Sequence, residues 1–212
     1  MRRLPAFFCL ALLLLSAAAC ADGGRMTQGL AGRHMKAPAS DVKRTYKGRT
    51  LYVHAPATLP PKGQRALVVV LHGGLGRALR IVSKNSESGM NLDAMADRHG
   101  FIVAYLNGTP VTRIFGKDKK GWNAGLCCGQ AARNKIDDVG YITGAVAALV
   151  RTYGIDPKKV YGVGHSNGAM MTQRVVCEAG VYAAAVSISG ALETFDTTCP
   201  GATGLRILEV HG

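Results

Sequence analysis

The sequence predicts an α/β domain built on a mostly parallel sheet with helices on both faces. Three observations carry this. Short runs rich in β-branched residues recur along the chain, and four of them are nearly continuous apolar stretches, the pattern of strands buried on both faces. Helix-like stretches alternate with these runs and supply the cover that such faces need. A chain of 212 residues, 48% hydrophobic and 18% charged, has ordinary globular composition and room for one substantial core, which excludes a disordered polymer.

The expected strands are residues 50–54, 66–71, 101–106, 159–163, 183–188 and 205–210. The expected helices are residues 91–99, 138–153 and 167–179; Asp137 or Asp138 can cap the second, and Gly154 and Pro157 mark its end. No internal repeat or low-complexity tract interrupts them. The domain is expected to span residues 46–212, because residues 22–45 are Gly-rich, basic and aperiodic and read as a flexible lead-in.

Residues 1–21 read as an export signal: Arg2 and Arg3 form the basic start, an apolar run covers residues 6–15, and small residues follow. The run is too short to span a membrane. Cleavage after Ala19 or Ala21 gives a secreted or periplasmic protein. Cys20, preceded by small residues, offers an alternative as the lipid-bearing residue of a lipoprotein, although Ala17 stands where that pattern usually has Leu.

With Cys9 removed and Cys20 removed or acylated, Cys127, Cys128, Cys177 and Cys199 remain, an even set suited to an oxidising compartment. Of three connectivities, Cys177 with Cys199 is favoured because the segment between them is short, a staple worth roughly 3 kcal/mol in the chain-entropy account. The formal charge of +13 is concentrated early, with ten basic residues before Gly63 against Asp22 and Asp41. Such a flank favours anionic surfaces. Without a nucleic-acid motif it does not predict a nucleic-acid partner.

The chemistry lies in Gly164-His165-Ser166-Asn167-Gly168, between an expected strand and an expected helix. In that context G-x-S-x-G is a nucleophile elbow: a turn so tight that the flanking positions must lack bulk, lifting the Ser166 hydroxyl clear of the sheet beside a helix N-terminus. Upstream, Leu71-His72-Gly73-Gly74-Leu75-Gly76 follows another strand and matches an oxyanion loop. A tetrahedral intermediate needs two backbone N–H donors, here Asn167 and either Gly74 or Leu75, each worth on the order of 10²- to 10³-fold in rate. His72 reads as a structural residue that orients the loop.

These motifs resemble the secreted polyhydroxybutyrate depolymerase and feruloyl esterase group of the α/β-hydrolases. The matching pieces are Val70-Leu71-His72-Gly73-Gly74, Gly121-Trp122-Asn123-Ala124-Gly125 with Cys127-Cys128-Gly129, Asp137-Asp138-Val139-Gly140, and residues 160–171 around Ser166. The resemblance implies a cofactor-free and metal-free esterase, a monomer when complete, acting on a polyester or a feruloylated or acetylated polysaccharide. It places Trp122 and Asn123 on a loop beside the active site, in contact with substrate, with a buried structural role open for Trp122. Asp137 and Asp138 read as capping and loop-fixing residues.

In this fold the triad runs Ser, then Asp or Glu, then His. After Ser166 stand Glu178, Glu193, Asp196 and Glu209, and a single histidine, His211. His211-Gly212 matches the family's His-Gly turn, after which the triad aspartate, the last strand, the C-terminal helix and the triad histidine are expected; the reading is of a C-terminally truncated hydrolase. Asp196 and His211 are not expected to substitute. Without an imidazole base the serine hydroxyl is a weak nucleophile, so the stretch in hand is expected to be inactive, and marginal or insoluble through the edge strand 205–210. The competing functional readings are a non-catalytic product that binds an ester ligand, and a basic surface-binding protein.

Overall fold

The computed structural model describes residues 41–82, 90–114, 117–193, 198–204 and 206–211. The expected signal, Cys20, most of the lead-in and Asp196 lie outside them. In chain order the elements are β1 (Asp41–Tyr46), β2 (Arg49–His54), β3 (Arg65–Leu71), α1 (Ala78–Val82), α2 (Leu92–His99), β4 (Ile102–Leu106), β5 (Thr109–Ile114), β6 (Lys117–Gly121), α3 (Gly129–Arg133), α4 (Asp138–Tyr153), β7 (Ile155–His165), α5 (Asn167–Ala179), β8 (Ala184–Ile188), a 3₁₀ turn (Pro200–Ala202) and β9 (Arg206–Val210).

Among the described residues, a seven-stranded sheet has the order β1-β2-β4-β3-β7-β8-β9. β1, β2 and β4 pair antiparallel, and every neighbour from β4 through β9 is parallel. This is the α/β-hydrolase fold. Side chains alternate across β3, and the two faces bury different sets. Leu67, Val69 and Leu71 pack with Tyr141, Ile142 and Val146 of α4 and Met171 and Val175 of α5. Val70, with Val103 and Tyr105 of β4, packs under Ile81 and Val82 of α1 and Ala96 of α2. Helices on both faces explain why β3 and β4 read as unbroken apolar runs.

Two helices begin and end where the sequence places them. Asp137 caps α4, its Oδ1 accepting the Gly140 N–H at 2.8 Å, and Gly154 ends it in the left-handed conformation at φ 63°. β7 extends beyond the expected 159–163. Its pairing with β3 passes from Ile155 to Val160 across a bulge that contains Pro157, a residue sheets accept at such irregularities.

The boundary at residue 46 needs correction, because β1 pairs along its whole length with β2, from Asp41 with His54 to Tyr46 with Arg49. Its Lys43 and Arg44 are exposed. As the outer strand of the sheet β1 has little to bury, so it lacks the alternation that betrays a strand, and its cations discourage further pairing. Tyr46 anchors it, its ring 6.0 Å from that of Tyr141. The sequence likewise does not predict the antiparallel hairpin β5-β6.

Cys177, in the last turn of α5, is paired with Cys199 next to the 3₁₀ turn, and Cys127 with Cys128. At the other edge of the sheet β9 is exposed along its length, with Leu208 at 60% and Ile207 and Val210 above 40%.

Candidate active site

Strand β7 ends at His165 and helix α5 begins at Asn167, leaving Ser166 alone in the turn at φ 52° and ψ −124°. A serine at positive φ outside a helix costs of order 1–3 kcal/mol and persists only where its surroundings impose it. Here they do. The Ser166 N–H donates to Ile188 O at 2.8 Å. A Cβ on Gly164 would stand 2.2 Å from Gly168 O, and one on Gly168 would stand 2.2 Å from Leu71 O. Both flanking glycines are thus sites where backbone meets backbone, which is the spacing rule of the elbow made visible.

The loop after β3 reaches the same place. A Cβ built on Gly73 would lie 3.4 Å from Ser166 Cβ, and one on Gly74 would lie 3.6 Å from Asn167 Cβ. Leu75 follows at φ 58°, and Gly76 N–H closes a turn onto Gly73 O at 3.0 Å. Asn167 is the first residue of α5, so its N–H has no partner within the helix. Gly73 and Gly74 therefore lie against Ser166 and Asn167.

His72 holds the loop from beneath. The Gly108 N–H donates to its Nε2 at 3.0 Å, so Nδ1 carries the proton and donates to Gly73 O at 2.8 Å. Burial is the main reason its pKa falls to about 4, partly opposed by the bond to Gly73 and reinforced by Lys120. His72 is a neutral strut with both ring nitrogens engaged, which disqualifies it as a base.

Trp122 and Asn123, expected on a loop beside the active site, are both buried, with their polar groups bonded inside the protein. Trp122 is 0% exposed; its Nε1 donates to His72 O at 2.9 Å, its N–H to Asn167 Oδ1 at 2.8 Å, and its carbonyl accepts from Asn167 Nδ2 at 3.1 Å. Asn123 is 7% exposed. Its Nδ2 donates to Ile136 O, its Oδ1 accepts from Gly125 N–H, and its N–H donates to Asp138 Oδ2 at 2.6 Å. Asp138 also pairs with Arg49. Burial pushes the Asp138 carboxyl up, opposed by these donors. The indole and the amide are spent on fixing the loop, because a buried polar group without a partner costs more than any surface contact returns.

Beside the exposed His165, three leucines stand open near the elbow. Leu75 is 51%, Leu126 52% and Leu192 39% exposed. Leu75 adjoins Gly74, Leu192 lies two residues past Gly190, whose built Cβ would meet Ser166 O at 2.7 Å, and the Leu126 N–H donates to Glu193 O at 2.9 Å. Exposed leucines inside loops give no periodic signal, so the sequence did not single out Leu126 or Leu192.

Among the described residues, the Ser166 hydroxyl makes no hydrogen bond to an imidazole or carboxylate, and no group of three or more His, Cys, Asp or Glu could hold a metal ion. His211 is exposed just past β9.

Fold and elbow together define the class, an α/β-hydrolase. No family model matches the chain. Its relatives carry esterase names: it is 28% identical over 82% of its length to NocK of Nocardia uniformis subsp. tsuyamanensis, a protein designated an esterase, covering 47% of it. It is 31% identical over 66% of its length to a poly(3-hydroxybutyrate) depolymerase of Ralstonia pickettii, covering 28%, and 33% identical over 47% to feruloyl esterase B of Piromyces equi, covering 17%. The chain thus spans half or less of these relatives. The acetyl xylan esterase of Aspergillus awamori superposes with a TM-score of 0.54 at 23% identity over 72% of this chain and 52% of that one. The Bacillus cereus carboxylesterase does so with 0.56 at 14% identity over 76% and 69%. These two likenesses bear on the fold.

A histidine with a folded pKa near 4 and an unfolded value near 6.5 binds fewer protons when folded, so its contribution to stability is complete above pH 6.5 and lost as pH falls toward 4. The full loss is about 3 kcal/mol at roughly 1.4 kcal/mol per unit. Urea unfolding at pH 7 and pH 4.5 should show a steeper decline for the natural chain than for His72→Gln, which is weaker at pH 7 but lacks this titration; equal declines contradict the assignment.

Proposed function

We propose that the chain carries the nucleophile half of a secreted serine carboxylic-ester hydrolase that works through an acyl-enzyme at Ser166. The observation behind this reading is the serine held at positive φ between a parallel strand and a helix, with Gly73 and Gly74 packed against it. In the reaction the Ser166 oxygen adds to the ester carbonyl and the alcohol leaves. The carbonyl oxygen, negative in the tetrahedral stage, lodges between the Asn167 N–H and that of Gly74 or Leu75. Water then releases the acid. The apolar rim of Leu75, Leu126 and Leu192 suits an acyl or aromatic group, and the names of the relatives favour a polyester or a feruloylated or acetylated polysaccharide.

Neither His72, locked neutral and structural, nor His211, exposed past β9, serves as the general base in this reading. An uncharged serine hydroxyl with only an oxyanion hole retains about 10³- to 10⁴-fold acceleration over water. The export signal and the Cys20 lipid site belong to the same proposal and are consistent with the Cys177–Cys199 pairing in an oxidising compartment. No described helix is long and apolar enough to cross a membrane. The alternative of a non-catalytic ligand-binding product predicts no covalent chemistry at position 166.

A fluorophosphonate probe distinguishes the two. The chain is expected to be labelled at Ser166 and Ser166→Ala to be silent, at least tenfold weaker by gel fluorescence. Equal labelling of both, or labelling mapped by peptide mass spectrometry to another residue, contradicts the esterase reading.

A further inference from the structure

A cleft of about 300 Å³ opens at the same rim of the sheet as the elbow, lined by Thr50, Tyr52, Arg77, Asn107, Asp118 and Lys120 among others. Its walls are built from the oxyanion loop itself. Lys120 N–H donates to Gly76 O at 3.2 Å, in an isolated bridge between β6 and the loop. Asn107 Oδ1 accepts the Ala78 N–H at 2.8 Å, and its Nδ2 donates to Thr50 O at 3.0 Å. The end of β4, the start of β2 and the loop that carries Gly74 and Leu75 are therefore tied together by hydrogen bonds around the cleft.

The charges in that unit are unbalanced. Arg77 and Lys120 both face the cleft, against the one carboxylate of Asp118, and Arg49 is close enough for Lys120 to sense. Neither the Arg77 guanidinium nor the Lys120 ammonium has a hydrogen-bonded acceptor among the described residues. Lys120 is half-buried, and its pKa is lowered first by that burial, with Asp118 opposing and Arg49 and Arg77 adding to the fall. With Asp118 as the one carboxylate among the described lining residues, Arg77 and a partly desolvated Lys120 leave the cleft net positive, a charge that a bound anion offsets. A planar guanidinium beside an ammonium suits a carboxylate, which can accept from both while the hydroxyls of Tyr52 and Thr50 supply further polar contacts.

We propose that this cleft is a carboxylate-binding subsite of the substrate, so that the preferred ester carries a free acid a short distance from the scissile bond. The acid could be a uronic acid on a polysaccharide or the terminal carboxylate of a hydroxy-acid oligoester; the shared chemistry is the anion. The ester depends on the function proposed above, whereas binding of the anion depends only on Arg77 and Lys120.

The test is a ¹H–¹⁵N NMR titration of the full chain with sodium D-glucuronate, with the 3-hydroxybutyrate dimer, and with uncharged methyl D-glucopyranoside, at fixed ionic strength. At least one carboxylate is expected to give saturable shifts at the Gly76, Arg77 and Lys120 amides. Arg77→Ala and Lys120→Ala should each raise Kd at least tenfold, Lys120→Arg should recover most of it, and Ser166→Ala and the surface control Arg151→Ala should leave it unchanged. Which acid binds tighter identifies the source. Absence of saturable shifts with either acid, equal shifts with the uncharged glycoside, or an unchanged Kd in both alanine variants overturns the subsite. Binding that survives while Ser166 resists the fluorophosphonate would sink the esterase reading and leave the subsite standing.

Discussion

Everything in this molecule that bears on chemistry depends on the backbone of one residue. Ser166 occupies a conformation that L-residues avoid, at φ 52° and ψ −124°, and the fold holds it there by register. Leu71, Gly164 and Ser187 lie side by side in β3, β7 and β8, so the chain leaves all three strands at the same level. The exits then converge. Gly73 approaches the serine from one side, while Ile188 O and Gly190 approach from the other. A parallel sheet with central strands ending together delivers three loops to one point, and only glycine at 164, 168 and 190 lets them meet.

Around that point the interior is polar and almost fully paired. Asn167, Trp122 and His72 form a chain of bonds: the Asn167 amide fixes the Trp122 backbone, the Trp122 indole fixes the His72 carbonyl, and the His72 imidazole fixes Gly73 and Gly108. Asp138 does the same for the next layer, tying Asn123 to Arg49, whose guanidinium lies 4.2 Å from the Tyr141 ring centroid. A buried donor left unpaired costs about 1–3 kcal/mol, so networks of this kind hold one arrangement against its alternatives. The loop from His72 to Gly76 rests on this scaffold instead of on its own short sequence.

The parts legible in the sequence are those where burial or steric exclusion writes a pattern. β3 and β4 show as apolar runs because both faces are covered, α4 shows its cap and its terminal glycine, and Gly164 and Gly168 show because nothing larger fits. β1 was hidden, since an edge strand with Lys43 and Arg44 outward carries no alternation. Trp122 is ambiguous for a related reason: an indole beside a loop serves substrate or scaffold equally well in one dimension, and its burial with bonds to His72 and Asn167 is visible only in three. The cleft between Arg77 and Lys120 was invisible because its two cations are far apart in the chain and are joined only when β6 bridges Gly76.

A serine at a strained turn is necessary for acyl transfer, but the central claim is narrower: amides of Asn167 and of Gly74 or Leu75 face the position a developing oxyanion will take. The most direct measurement is a crystal structure of the chain phosphonylated at Ser166. The account predicts a phosphonyl oxygen within about 2.7–3.1 Å of the Asn167 nitrogen and of the Gly74 or Leu75 nitrogen. An adduct whose oxygens face solvent, or bond to neither side, contradicts it.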